Sequence, residues 1–211
     1  MKFLQYKYLT LIILSIGAYS DTELQEYKVE FIIFEYITPN TDEVFNSILE
    51  IPNDEIVNQY TLDKSSYSNF SNISNYISNI ISKDFDKAKN LYPSIWYRDD
   101  PELEVLKNIE TNITNDKDIK FIDSISWIQS IPQYESTKYL RYEDGKKNYG
   151  FFLSLYQKRF MHIQLKGYIS NLNSRRNKIN IFIDNEKRIF NEEIHFFDNP
   201  YFGIIVSVRR I

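Results

Sequence analysis

Ile194-His195-Phe196-Phe197-Asp198-Asn199-Pro200-Tyr201-Phe202-Gly203-Ile204-Ile205-Val206-Ser207-Val208 is the stretch whose reading decides the fold. It reads as a strand, an Asp-Asn-Pro turn and a second, strongly apolar strand. Within the turn Asp198 can bond the backbone two residues on, and Pro200 fixes φ. A strand as apolar as 203–208 would invite aggregation at a sheet edge, so it is expected inside a sheet. Its natural neighbour lies at the other end of the chain. Residues 27–37 (YKVEFIIFEYI) start alternating and then run continuously apolar, as a central strand covered on both faces does. Pairing the two places the N-terminal and C-terminal strands in one sheet and makes 21–211 a single domain.

Working inward, residues 150–156 and 159–168 are two strands joined by Gln157-Lys158, too short a link for anything but a tight hairpin. Met161, Ile163 and Leu165 alternate with Phe160, His162 and Gln164, so the first set is the core face and His162 looks out from the other side. Residues 179–183 open a further strand. Residues 118–129 give another, anchored by Phe121, Ile125 and Trp127. Asn40 or Thr41 can cap a short helix with Val44, Phe45, Ile48 and Leu49 as its stripe, and Leu103, Leu106, Ile109 and Ile113 form a second helical stripe. Residues 53–101 read as an insertion, either poorly ordered or helical. Phe70, Ile73, Ile77, Ile80 and Ile81 keep helical spacing, but the Ser and Asn between them are poor helix formers. The expected class is α+β, a largely antiparallel sheet packed by a few helices.

The first 20 residues read as a secretory signal peptide. Lys2 and Lys7 precede an apolar stretch, residues 8–17, and Ala18-Tyr19-Ser20 supplies a small-residue cleavage site before acidic Asp21. The stretch is about half the roughly 20 residues of a membrane-spanning helix, and no later stretch is long and apolar enough to span. The 211 residues contain no Cys, which excludes disulfides, thiolate metal sites and lipidation at cysteine. Charge is uneven: residues 21–137 hold 9 basic and 22 acidic side chains, residues 138–211 hold 14 basic and 7 acidic. Either the two halves neutralise each other in the fold, or the C-terminal part presents a basic face to an anionic partner. Export and the acidic net charge argue against nucleic acid, although Arg175-Arg176 and Arg209-Arg210 would suit it in isolation.

No nucleophile elbow, phosphate loop, dinucleotide fingerprint or zinc-binding His pair occurs, and no cofactor or metal is expected. The best catalytic candidate is the group Glu192, Glu193, His195 and Asp198, joined by His162, which could act as a carboxylate–His acid–base pair. The same residues also suit a structural hydrogen-bond network. Trp96, Trp127, Tyr139, Tyr142 and Tyr149 could stack on sugar rings or fill the core.

Three blocks together resemble one family, the CsiV-type peptidoglycan-binding proteins of Gram-negative bacteria. The first is residues 27–35. The second is Trp127-x-Gln129, then Gly150, then Arg159-Phe160-Met161-His162, similar to a Gly-strand-Arg-Tyr-Leu-His hairpin. The third is Lys187-Arg188 followed by residues 193–203, similar to a closing motif of basic pair and Glu-Leu-His-Tyr-x-Asp-His-Pro-x-Phe-Gly. Asn199 stands where the family commonly has His, and Lys187 where it usually has Arg. The resemblance implies a periplasmic, non-catalytic accessory of cell-wall synthesis. Its implied partners are peptidoglycan and the lipoprotein activator of a bifunctional penicillin-binding protein. Alternatives are a protein–protein scaffold without direct wall contact, and a wall hydrolase built on His195 and a carboxylate. Peptidoglycan stems carry carboxylates, so the expected contact is a basic groove with flanking Tyr. The candidate polar cluster is Arg159, His162, Arg188, Glu193, His195 and Asp198, with Asn199, Pro200, Phe202 and Gly203 forming the turn.

Overall fold

The computed structural model describes residues 25–39, 41–42, 47–54, 56–60, 95–144, 146–169 and 179–211. The signal segment, most of the 53–101 insertion and Arg175-Arg176 lie outside the described residues. So do Asn40 and residues 43–46 of the first expected helix. The described elements are β1 (Glu26–Tyr36), β2 (Asn58–Gln59), β3 (Trp96–Asp99), α1 (Lys107–Asn115), β4 (Ile119–Ser130), β5 (Leu140–Asp144), β6 (Tyr149–Gln157), β7 (Met161–Ile169), β8 (Phe182–Ile189), β9 (Ile194–Asn199) and β10 (Phe202–Arg210).

They form two sheets, one ordered β2-β3-β4-β1-β10-β9 and one ordered β5-β6-β7-β8. All pairings between these strands are antiparallel except the short β2–β3 pair. This corrects the expectation of an α+β fold packed by helices. Among the described residues there is one α-helix, and the main core is closed by sheet against sheet. Alternation in β6 explains why: Phe151, Leu153 and Leu155 face the core shared with β1 and β10, so a second sheet does the covering expected of helices. Leu49, expected on a helical stripe, lies in non-helical chain instead. Its N–H bonds Ile179 O at 3.0 Å, and it packs with Phe152, Tyr168 and Ile179 over the outer face of the small sheet.

The first and last strands do lie side by side, with Val29 opposite Val208, Phe31 opposite Val206 and Ile33 opposite Ile204. On the other flank of β1, Val29 meets Trp127 and Phe31 meets Ile125. The unbroken apolar run of β1 follows from its position. Val29, Phe31 and Ile33 enter the core between the sheets, while Ile32 and Phe34 pack with Leu106 and Ile113 beneath α1. Across the core the Phe31 and Phe151 rings stack at 4.4 Å between centroids. Such a pair contributes about 1 kcal/mol beyond the area it buries. Gly203 marks a close approach on the opposite face of β10, where a Cβ would run into the Phe34 and Phe196 rings.

Candidate functional site

The β7–β8 register decides which polar residues meet. His162 on β7 lies between Tyr156 on β6 and Arg188 on β8, and all three point away from the core because their neighbours Leu155, Ile163 and Ile189 fill it. His162 stacks flat on Tyr156, with 5.3 Å between centroids and 4° between planes. Its Nδ1 is 3.3 Å from Glu186 Oε1, which also accepts the Tyr156 hydroxyl. Burial, and then that hydrogen bond, push the Tyr156 phenol well above its usual pKa, so it stays a protonated donor.

Around this row the hairpin turn and the chain end of β8 present cations on rings. Lys158 Nζ sits 3.8 Å from the Tyr134 centroid and 5.1 Å from that of Tyr156. The Arg188 guanidinium lies 3.7 Å from the Phe160 centroid and 4.3 Å from that of Phe190. Arg159 approaches Phe160 at 5.3 Å. Lys158, Arg159 and Arg188 are exposed, as are Tyr134 at 50% and Phe190 at 45%. Among the described residues none of the three cations forms an ion pair, in contrast to Lys166 beside Asp184 and Lys147 beside Asp123. The end of the small sheet is thus a basic surface whose charges are oriented by aromatic rings and left uncompensated.

Of the candidate polar cluster, the structure brings Arg159, His162 and Arg188 together here, and it places the other three elsewhere. Glu193 and His195 stand where β8 gives way to β9, 3.8 Å apart between Oε2 and Nε2. His195 faces inward beside Phe197, and burial lowers its pKa; Lys187 works in the same direction and Glu193 against it. Lys187 reaches over to donate to Phe196 O at 2.5 Å. Asp198 points to the opposite face of β9, because strand neighbours alternate. It accepts the Tyr36 hydroxyl at 2.9 Å. Burial and this bond push the Tyr36 phenol up to about 12. One acid–base unit comprising His162, His195 and Asp198 is therefore not assembled.

The closing turn is a structural device. Asn199 is buried; its Nδ2 donates to Phe182 O at 3.1 Å and its Oδ1 accepts the Tyr201 N–H at 3.1 Å. It ties the β9–β10 turn to the start of β8. Phe202 is fully buried in the core. Pro200-Tyr201 completes the turn, and Tyr201 borders a cleft of about 250 Å³ that Tyr36, Ile169 and Ile181 also line.

The aromatic candidates separate as well. Trp96, Trp127 and Tyr149 are buried, with Trp127 Nε1 donating to Gln129 Oε1 at 2.7 Å and the Tyr149 hydroxyl donating to Asp123 at 2.7 Å. Tyr139 and Tyr142 are half-buried. Sequence reasoning missed Tyr134, Tyr156, Lys158, Phe160, Glu186 and Phe190. The signal was present in Tyr156-Gln157-Lys158-Arg159-Phe160, where aromatic and basic residues interleave from the end of β6 through the turn. Arg209, by contrast, is committed to Glu104 and is not free for an anionic ligand.

A model of the family described as "Peptidoglycan-binding protein, CsiV" matches residues 5–211. No curated protein and no solved structure matches the chain.

Proposed function

The chain belongs to the CsiV family of peptidoglycan-binding proteins, and from that premise we propose that it binds peptidoglycan without cleaving it, through the outer face of the small sheet around His162 and Arg188. The observation that carries this reading is the group of uncompensated cations Lys158, Arg159 and Arg188, each held against an aromatic ring. A polyanionic polymer is what such a surface attracts, and the attraction is screened by salt. Binding to the wall places the protein outside the cytoplasm, in the periplasm, to which the signal-like first 20 residues would direct it. Its role there is that of an accessory in cell-wall synthesis, acting with the lipoprotein activator of a bifunctional penicillin-binding protein as the family resemblance implies.

The test is co-sedimentation of the purified protein with isolated sacculi. Retention in the pellet at low salt, with release as salt is raised, is the expected result; protein wholly in the supernatant at low salt overturns the reading. Muropeptide release from the same sacculi would overturn its non-catalytic part. Capture of the purified activator in the absence of sacculi tests the partner separately.

A further inference from the structure

We infer that the chemical group recognised on this face is the free carboxylate of the peptide stems, and not the glycan strand; the inference rests on peptidoglycan being the ligand. A surface that reads sugars by stacking keeps its ring faces open, because the apolar face of a pyranose must lie flat on them. Here the rings are already in use. Lys158 occupies a face of Tyr134, and Arg188 lies against both Phe160 and Phe190. Rings used in this way position charges.

The charges they position suit carboxylates. A guanidinium held against a ring keeps its N–H donors in its own plane, where they can grip a planar carboxylate with two parallel hydrogen bonds. Arg188 is exposed and has no ion-pair partner among the described residues, so this edge is unclaimed. Glu186, two residues before Arg188 on β8, is engaged by the Tyr156 hydroxyl and His162 and not by Arg188. Lys158, held over the Tyr134 and Tyr156 rings, supplies a second, point-like cation. One stem with two free carboxylates, or two neighbouring stems, can engage both.

Three probes and two variants test this. Intact sacculi, glycan strands stripped of their peptides by an amidase and then amide-capped at the lactyl carboxylates the amidase frees, and sacculi whose carboxylates have been capped as amides are offered to the purified protein. The expected result is binding to intact sacculi, and binding at least about ten-fold weaker to the other two, the scale set by losing charge-assisted hydrogen bonds. Arg188→Gln and Lys158→Gln, both exposed changes, should each weaken binding to intact sacculi while leaving the unfolding midpoint unchanged. Equal binding to stripped glycan, or undiminished binding to capped sacculi, overturns the stem assignment and leaves the peptidoglycan reading standing. Failure to bind intact sacculi overturns both. Full binding by both variants moves the site off this face.

Discussion

Glu30 Oε2 accepts the backbone N–H of Leu106 at 2.8 Å across 76 residues of sequence, and so ties the start of helix α1 to the central strand. Its Oε1 takes the N–H groups of Glu104 at 3.0 Å and Val105 at 3.1 Å. Leu106 is the N-cap of α1 and has no side-chain cap of its own, so a carboxylate on β1 satisfies donors that a capping Ser or Asp would otherwise serve. The negative charge also faces the positive end of the helix. Glu30→Ala leaves three backbone donors without this acceptor in a buried place. The expected loss is about 3 kcal/mol of unfolding free energy, read as a lower urea midpoint. A change under about 0.5 kcal/mol would show that water replaces the carboxylate at little cost.

That tie explains what was and was not legible in the sequence. Glu30 sits in the middle of an apolar strand, and nothing local says what it serves, since its donors arrive from 74 to 76 residues away. The strands themselves were readable. The alternation of Met161, Ile163 and Leu165, and the apolar run of 203–208, mark β7 and β10 closely. Alternation tells which face is buried but not what buries it, so the strands of the small sheet are legible while their role as the cover, where helices are expected, is not. The site suffered similarly. Arg159 and His162 share a hairpin and could be grouped by local reasoning. Arg188 joins them through a strand pairing that no short turn dictates, and Asp198 was grouped with His195 although three residues along a strand puts them on opposite faces.

Asn199 offers a direct test of one of the two departures from the closing motif, the other being Lys187. Both of its hydrogen bonds go to backbone, at Phe182 and Tyr201, and none is aimed outward. Asn199→Ala should therefore cost about 2 kcal/mol of stability through two buried groups left unpaired. At a temperature where the variant is folded, its co-sedimentation with sacculi should equal that of the parent. Loss of binding by a folded variant would assign Asn199 to the ligand.

The rings beneath the cations should matter through orientation. Phe160→Leu keeps apolar bulk at the turn but removes the face on which Arg188 rests. A contact of this kind at an exposed site is worth about 0.5–1 kcal/mol, so affinity for sacculi should fall about three-fold with little change in unfolding midpoint. Phe160→Tyr, which keeps the face, should restore it. Equal weakening by Leu and Tyr would show that the position acts by packing alone.

His195 sets a pH dependence whose sign can be worked out. Its Nε2 is buried without a hydrogen bond, and burial depresses the pKa below its ordinary 6.5; nearby Lys187 adds to the depression while Glu193 opposes it. The unfolded chain therefore takes up a proton at higher pH than the folded one, and unfolding is favoured wherever that difference is populated. The stabilising contribution of neutral His195 is complete above about pH 6.5 and falls away as the pH drops below it, toward the lower pKa of the folded state. Urea midpoints measured between about pH 5 and 8 should decline on the acid side of 6.5 in the parent and decline less in His195→Gln, which keeps a polar, non-titrating side chain. His162→Gln serves as the control: it alters the outer face and leaves the buried imidazole in place, so its profile should retain the parent's acid-side decline. Parallel profiles for the parent and His195→Gln would mean that the imidazole is as easily protonated in the fold as out of it, and that β8 and β9 part readily enough to hydrate it.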